Sequence, residues 1–262
     1  MELNNESKTL FIPLIGKARI SKDNLFFKDE KAEEIVLSVN YDLKGLKVSK
    51  WLSMYLSLRA LIIDELCNDY LKNNSDVTIL HLGCGLDSRY LRINQNYKKW
   101  YDIDYESVIK MRKKYYTTSF NYEMVGSSVT STEWLEQIDT NSNLLIIMEG
   151  LTMYLSEMEL KELIASIDRK FSNVHFIFDA YSKKAVKYSK KKNPVNQVSA
   201  KVKYGIDNVN DFLNINNNLK YINTHIIRKK ENNLPFLTRF IFNHLYCGKF
   251  SESLYKIYEF KL

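Results

Sequence analysis

The hydrophobic pattern of the chain changes near Val77. Before this residue, apolar side chains recur at helical spacing: DEKAEEIVLSV places Ala32, Ile35 and Val39 on one face, and SKWLSMYLSLRALIIDELCNDYL continues as a longer helix. After it, short apolar runs rich in β-branched and aromatic residues alternate with helical segments. The five strands predicted in this part are VTILHL, KKWYDID, YEMVG, NLLIIMEG and VHFIFDA. The alternation predicts an α/β fold with a mostly parallel sheet and helices on both faces.

The helices predicted between these strands are YESVIKMRKKYY, TSTEWLEQI and SEMELKELIASIDRKF. The last has Ser156 at the N-cap position and Glu159 three residues later, which is the spacing of a capping box. Beyond Tyr181 the pattern loosens into a lysine-rich segment that Pro194 interrupts. We expect a short helix in DNVNDFLNI, followed by two late strands, LKYINTHIIR and SLYKIYEFKL, around the helix PFLTRFIFNHLY.

Composition narrows the class of protein. Hydrophobic residues make up 45% of the 262 residues and charged residues 26%, as in ordinary globular domains. The net charge is +7, but lysines are spread along the chain, and Lys183, Lys187, Lys190 and Lys191 would share one solvated helix face, so we do not expect nucleic-acid binding. We found no long apolar stretch and no secretory signal pattern, and the cysteine number is odd. We therefore expect a cytoplasmic protein with reduced thiols and no membrane partner.

The glycine loop in ILHLGCGLDSRY is the most informative motif. Gly83 and Gly85 follow a buried strand, and we expect a helix to begin soon after them. Glycine allows the backbone to turn tightly and to approach a ligand, and open parallel sheets bind ligands at the carboxyl ends of their strands. The spacing is G-x-G without the third glycine that a pyrophosphate favours, which indicates a nucleoside ligand. The alternative is an ordinary strand-to-helix turn.

The second and the fourth predicted strands end in acidic residues. Asp102 and Asp104 lie on the same side of the second strand, and Asp104 stands at its end, about 20 residues after the loop. An acid at this place can accept hydrogen bonds from the two hydroxyl groups of a ribose. A cap for the following helix is the alternative. Glu149 ends the most apolar strand, where an ionised carboxylate needs partners, water or a ligand.

Three of these segments, VTILHLGCGLDSRYLRI, WYDIDYESVIKMRKK and MEGLTMYLSEMELKELI, resemble the leucine carboxyl methyltransferase family in order and spacing. The family includes protein phosphatase methyltransferases and tetracenomycin-type polyketide O-methyltransferases. The resemblance runs from about Gly16 to Phe178. It implies a Rossmann-like class I methyltransferase fold, with a seven-stranded sheet whose last strand is antiparallel, and S-adenosyl-L-methionine as the cofactor.

The resemblance also implies roles for single residues. Lys17 and Arg59 would hold the carboxylate of the cofactor, and Glu149 would lie near its amino group. The residues that the resemblance or their place in the loop puts along the rest of the cofactor are Gly83, Cys84, Gly85, Asp104, Ser128 and Val129. Where related leucine methyltransferases tend to have an aspartate beside the adenine, this chain has Ser128, so that contact departs from the pattern.

The domain organisation follows from these assignments. We interpret residues 1–262 as one methyltransferase domain: an N-terminal helical cap over 1–75, a cofactor-binding core over 76–181, a helical lid or substrate segment over 182–218, and closing strands with a helix over 219–262.

Methyl transfer from a sulfonium is an in-line displacement, so the protein mainly aligns the reactants and excludes water. None of the four histidines stands in a recognisable base motif, which favours a carboxylate acceptor that is already ionised. Tyr154 is a candidate acceptor-site residue, with a place in the core as its alternative; no metal site is expected. The hypothesis is an O-methyltransferase for a polyketide-type small molecule. The alternatives are a protein C-terminal carboxyl methyltransferase, a cofactor-binding protein without transfer activity, and an RNA methyltransferase.

Overall fold

The computed structural model describes residues 3–43, 45–138, 142–190, 194–228 and 234–262. The strands are β1 (Val77–Leu82), β2 (Lys99–Asp104), β3 (Tyr122–Gly126), β4 (Asn143–Met148), β5 (Val174–Tyr181), β6 (Lys220–His225) and β7 (Tyr255–Lys261). The helices are α1 (Asn5–Lys8), α2 (Phe11–Lys22), α3 (Glu30–Ser38), α4 (Lys50–Asn73), α5 (Arg89–Arg92), α6 (Glu106–Arg112), α7 (Glu157–Lys170), α8 (Lys183–Ser189), α9 (Val209–Leu213), α10 (Phe236–Leu245) and α11 (Lys249–Glu252).

The seven strands form one sheet in the order β3-β2-β1-β4-β5-β7-β6. Strands β1 to β5 pair in parallel, whereas β7 is antiparallel to both of its neighbours, β5 and β6. The predicted fold class, with its antiparallel last strand, is confirmed. Chain order reverses between β1 and β4, so the carboxyl ends of these two strands flank the place where such sheets bind ligands.

The central strands β1, β4 and β5 are buried on both faces, as their continuous apolar runs predicted, whereas the edge strand β6 is mostly exposed. Along β1, Ile79 packs into one core cluster, while Leu80 and Leu82 pack into the other. Helix α4 supplies Leu58 and Ile62 to the same cluster as Ile79. The longest of the N-terminal helices therefore belongs to a layer that covers the sheet, and α2 packs against it.

Local signals account for several helix boundaries. The Ser156 hydroxyl accepts a hydrogen bond from the Glu159 N–H, and the Glu159 carboxylate accepts one from the Ser156 N–H, so the predicted capping box at the start of α7 is confirmed. One predicted helix is only a 3₁₀ turn, and the helix expected after the glycine loop is present but short. The segment TSTEWLEQI contains only a 3₁₀ turn, Glu133–Gln137, and the helix after the glycine loop is the single turn α5.

Other sequence expectations can be located in the same way. In α8, Lys183 and Lys187 are exposed, and Lys190 follows as an exposed C-cap. Lys191 lies outside the described residues. Cys67, Cys84 and Cys247 are buried with free thiols. Across the part of the chain that the structure describes, no helix has the combination of length and apolar character needed to cross a membrane.

Candidate functional site

The glycine loop turns sharply at the carboxyl end of β1. Gly83 has φ 66° and Gly85 has φ 54°, a left-handed conformation that favours glycine. A Cβ atom on Gly83 would lie 3.1 Å from a methyl carbon of Leu151, and one on Gly85 would lie 3.2 Å from the Cβ of Leu10. Both positions therefore need glycine for conformation and for space. Cys84 between them is buried, and burial raises the pKa of its thiol, so it is a neutral packing residue below the loop.

Asp104 ends β2 beside this loop. Its Oδ2 accepts the Gly85 N–H at 2.8 Å and its Oδ1 accepts the Tyr105 N–H at 2.7 Å. The side chain is half-buried at the wall of a cavity, and burial raises its pKa to about 6 despite these two hydrogen bonds. Each carboxylate oxygen keeps a second lone pair for a further donor.

Asp102 lies two residues earlier and has a different environment. It is fully buried and accepts hydrogen bonds from the Trp100 indole at 2.9 Å and the Tyr122 hydroxyl at 2.6 Å, and it forms an ion pair with Arg112. Burial would raise its pKa, but Arg112 together with His81 and Tyr122 outweighs burial, and the pKa is lowered. Asp102 is thus held by the protein, and its oxygens are already supplied with donors.

Asp87, at the end of the glycine motif, connects the loop to the N-terminal helices. Lys17 of α2 lies 2.7 Å from Asp87 Oδ1 and is almost fully buried, and Arg92 of α5 contacts the same oxygen at 2.8 Å. Burial opposes ionisation of Asp87, but Arg92 and Lys17 lower its pKa well below the usual range. The ammonium group of Lys17 has three donors, so it can bind a second acceptor beside Asp87.

Arg59 of α4 and Glu149 after β4 form a buried ion pair. Arg59 Nη2 lies 2.6 Å and Nε 3.0 Å from Glu149 Oε1, while Glu149 Oε2 pairs with Arg89 of α5. Burial would raise the pKa of Glu149, but the two guanidinium groups lower it to about 2. Arg59 was predicted to hold a ligand carboxylate; within the protein, one edge of its guanidinium already holds a carboxylate, that of Glu149.

The other edge of Arg59 is also in use. Its Nη1 donates to the Tyr255 hydroxyl at 2.9 Å and lies 3.4 Å from Asp179 Oδ2. Asp179 in turn accepts the Gly150 N–H at 2.7 Å, which fixes Gly150 at φ 67° against the guanidinium face. Little of Arg59 remains available, so a bound ligand would share it with Glu149.

A cavity of about 210 Å³ joins these groups. The predicted site residues on its lining are Lys17, Arg59, Gly83, Cys84, Gly85, Asp104, Val129, Glu149 and Tyr154. Ser128 is not among the lining residues: its hydroxyl lies 2.9 Å from that of Thr130, which does line the cavity. The structure therefore brings together nine of the ten predicted residues and leaves Ser128 beside the site.

Sequence reasoning missed several lining residues. Asp87 stood in the quoted motif and its charge could have marked it. Leu10 and Ser7, by contrast, carry no sequence signal for a site, because they reach the cavity only through the packing of the N-terminal helices. Among the described residues, no cluster of three or more His, Cys, Asp or Glu side chains could hold a metal ion.

Comparison with known proteins identifies the family. The family described as leucine carboxyl methyltransferase matches residues 17–168, and the chain belongs to this family. It is 31% identical to the tetracenomycin polyketide synthesis O-methyltransferase TcmP of Streptomyces glaucescens, over 69% of this chain and 67% of that protein. It is 27% identical to the S-adenosyl-L-methionine-dependent methyltransferase dpfgK of Gibberella zeae, over 64% of this chain and 62% of that protein.

Solved structures show the same fold at low identity. Magnesium protoporphyrin IX methyltransferase from Synechocystis PCC 6803, with bound S-adenosylmethionine, has a TM-score of 0.52 at 10% identity, over 99% of this chain and 98% of that one. A methyltransferase from Anabaena variabilis has a TM-score of 0.53 at 11% identity, over 78% of this chain and 84% of that one. The chain is an S-adenosylmethionine-dependent methyltransferase with a class I fold.

The cavity fits this cofactor. The two left-handed glycines bring bare backbone to the cavity wall at the end of β1. Asp104 has a raised pKa, and two hydroxyl donors would stabilise its ionised form. Lys17 would hold a carboxylate. These observations support the predicted roles of the glycine loop, Asp104 and Lys17.

Proposed function

We propose that the protein transfers the methyl group of S-adenosylmethionine to a carboxylate of a small molecule. The observation that carries this proposal is the state of His81, the histidine among the described lining residues. Its Nε2 lies 3.3 Å from Arg89 Nη1, and an arginine can only donate. Nε2 is therefore the acceptor, and Nδ1, 3.2 Å from Asp102, carries the proton. With both nitrogens engaged, His81 has no lone pair for an acceptor's proton.

Three of the carboxylates that line the cavity, Glu149, Asp87 and Asp104, are unsuited to act as the general base. Glu149 and Asp87 have lowered pKa values because cationic partners surround them, and Asp104 faces the position predicted for the ribose. Burial raises the pKa of Tyr154, so its hydroxyl stays protonated and acts as a hydrogen-bond donor or acceptor. An alcohol or phenol usually needs a base to lose its proton, whereas a carboxylic acid with a pKa of about 4 is ionised at neutral pH.

The residues around the cavity would then contribute to the reaction by positioning the acceptor. When bound, S-adenosylmethionine supplies an already activated methyl group. Tyr154 and the apolar residues Leu151 and Met153 line the cavity, and we place the acceptor beside them. They would orient one carboxylate oxygen and keep water away, which is the main contribution that such a transfer asks of a protein.

The size and closure of the cavity favour a small acceptor. Lys203, in the segment predicted to cover the acceptor, lies 3.5 Å from Glu6 of α1 and 4.0 Å from Glu159 of α7. These partly exposed side chains connect three elements around the cavity. A flat aromatic acid would enter more readily than a folded protein; the C-terminal tail of a protein is the competing acceptor.

The test uses methyl-labelled cofactor and matched acceptors: 2-naphthoate against 2-naphthol, and anthraquinone-2-carboxylate against 2-hydroxyanthraquinone. A peptide ending in leucine represents the protein tail. We expect label in the acids, and the rate of methyl transfer should be nearly constant between pH 7 and 9. Mild base should release this label as methanol, because methyl esters hydrolyse. Base-stable label in the phenols, with a rate that rises with pH as each phenol ionises, would contradict the proposal.

A further inference from the structure

Helix α10 presents an apolar face to solvent. Phe236, Leu237 and Phe240 lie on this face and are 75%, 67% and 61% exposed. The opposite face carries Phe242, which is fully buried and stacks on Trp51. The helix is thus anchored by Phe242, and three large apolar side chains project outward. Single exposed apolar residues are ordinary, whereas neighbouring ones mark a contact surface.

The exposed apolar surface continues onto α11 and α8. Gly248 is the N-cap of α11 and packs on the end of α10, since a Cβ atom there would lie 2.6 Å from the His244 carbonyl oxygen. Phe250 of α11 is 59% exposed, and the Lys184 ammonium of α8 lies 5.2 Å from the centre of its ring. The same ammonium lies 5.8 Å from the ring centre of Tyr188, which is 50% exposed. We call the five exposed residues the aromatic edge: Phe236, Leu237, Phe240, Tyr188 and Phe250.

Positive charge accompanies the aromatic edge. Residues 182–206, which include α8, contain eight lysines and neither Asp nor Glu. The guanidinium of Arg239 lies 6.0 Å from the Phe236 ring centre, and Lys249 of α11 is exposed. Among the described residues of α8, α10 and α11, Glu252 supplies the one carboxylate. A partner that covers the edge therefore has to be both apolar and anionic.

We propose that the aromatic edge binds the surface of a bilayer that contains anionic lipids. Phe and Leu side chains that protrude from a helix enter the boundary between headgroups and acyl chains, while Lys and Arg attract the anionic headgroups. Lys184 and Arg239 already lie beside aromatic rings, so their charges would stay at headgroup level when the rings are inserted. The contact is peripheral and needs no segment that spans the bilayer.

Other anionic partners fit the edge less well. A nucleic acid would pair with the lysines and stack on the aromatic rings, but Leu237 offers it no stacking surface. A folded acidic protein would need pockets shaped for side chains that project from three different helices. A fluid lipid interface adapts to such projections without a shaped surface.

Sedimentation with vesicles tests the proposal. The full chain should bind vesicles with roughly one third phosphatidylglycerol at least about tenfold more strongly than vesicles of phosphatidylcholine alone, and added salt should weaken binding. Phe240→Ser should reduce binding about tenfold, because a large apolar side chain no longer enters the lipid. Lys184→Gln with Lys187→Gln should reduce it about fivefold. All three residues are exposed, so the melting temperature should not change.

Matched controls lie in the segment between α6 and β3, and β3 is at the other end of the strand order from β7 and β6. Phe120 is 99% exposed, so Phe120→Ser removes the same side chain from another surface. Lys113 and Lys114 are also exposed, and Lys113→Gln with Lys114→Gln removes the same charge. Both controls should stay within about twofold of the unaltered protein, because distant surface charges are screened.

Equal binding to the two kinds of vesicle, or equal losses in the test and control variants, would overturn the proposal. A dimer in solution that Phe240→Ser dissociates, with no binding to vesicles, would also overturn it and assign the edge to a second copy. Binding of an RNA oligonucleotide but not of vesicles would overturn it in favour of a nucleic acid. The test uses neither cofactor nor acceptor, so failure of the acceptor test leaves its result intact.

Discussion

Two groups of polar residues lie next to the glycine loop, and they differ in where their hydrogen bonds go. The closed cluster contains His81, Trp100, Asp102, Arg112 and Tyr122, all buried and bonded to one another through Asp102. The open wall contains Lys17, Arg59, Asp104 and Glu149, all of which line the cavity. In the closed cluster the charges are matched within the protein. In the open wall, Asp104 bonds only backbone N–H groups among the described residues.

This difference separates charges that hold the fold from charges that can bind a ligand. Asp102 and Asp104 are two residues apart on one face of one strand, and sequence pattern alone distinguishes them only by their distance from the strand end. Their surroundings move their pKa values in opposite directions, down for Asp102 and up to about 6 for Asp104. A carboxylate whose pKa is raised in the folded protein has an unmet need for donors, and a ligand can supply them.

The largest effect is expected in the closed cluster. Asp102→Asn should lower the free energy of unfolding by about 3–5 kcal/mol, because it leaves Arg112 buried without a counter-ion and turns one acceptor into a donor that faces other donors. The affinity of the folded protein for S-adenosylhomocysteine should stay within about threefold. Urea denaturation and calorimetry measure the two quantities. A stable variant that no longer binds would place the ribose contact at Asp102 instead.

Arg59 lines the cavity with the rest of the open wall. Like the charges of the closed cluster, however, it is already paired within the protein, in its case with Glu149. Arg59→Ala should weaken cofactor binding by about 1.5–3 kcal/mol and also lower the melting temperature, since Glu149 and Asp179 lose a buried cation. Arg59→Lys should not restore binding, because an ammonium group cannot contact Glu149 through two nitrogens.

A double variant separates the two roles of Arg59. Arg59→Met with Glu149→Gln removes both charges of the pair, so the melting temperature should recover in part. Cofactor affinity should remain low. If the double variant binds S-adenosylhomocysteine as well as the unaltered protein, Arg59 only stabilises the fold and its predicted role toward the ligand is wrong.

The sequence predicted the sheet, the glycine loop and Asp104 from short-range patterns, whereas Lys17, Arg59 and Val129 were implied only by the family resemblance. Continuous apolar runs bounded by turn residues mark strands buried on both faces, and the glycine spacing followed by an acid about 20 residues later marks one end of a ligand site. The Arg59–Glu149 pair joins residues 90 positions apart, and no local pattern encodes it. Ser7 reaches the cavity only through tertiary packing of α1. In the short helix after the loop, Arg89 and Arg92 turn inward to Asp64, a partner 25 and 28 positions away that no local pattern indicates.

The raised pKa of Asp104 predicts how the affinity of the open wall for the cofactor should depend on pH. An ionised carboxylate accepts hydrogen bonds from two hydroxyls, whereas the protonated form must donate one of its own. Affinity for S-adenosylhomocysteine should therefore be constant between pH 7 and 8 and fall up to about tenfold per pH unit below its pKa of about 6. Because this pKa lies above the ordinary value, the folded state binds the proton more tightly than the unfolded state. The contribution of Asp104 to stability thus decreases as the pH rises from about 4 to 6.

The matched variant is Asp104→Asn. It should bind S-adenosylhomocysteine at least about tenfold more weakly at pH 7.5, because the charge that strengthens hydrogen bonds from the ligand is gone. It should also lose the dependence of affinity on pH between 5 and 7. A variant that keeps this dependence would show that another group titrates in the site.

The smallest effect is expected at Ser128, which tests the edge of the open wall. Its hydroxyl lies 2.9 Å from Thr130 Oγ1, and it is Val129 and Thr130 that line the cavity. Ser128→Ala should change the affinity for S-adenosylhomocysteine by less than about twofold, because an exposed hydroxyl loses little when its partner is another side chain that water can satisfy. Val129→Asp, which buries a carboxylate in the cavity wall, serves as the positive control and should weaken binding strongly. Calorimetry at one pH and salt concentration is enough for the comparison. A fivefold or larger loss in Ser128→Ala would show that the hydroxyl turns into the cavity when the cofactor binds, as the family resemblance implied for this position.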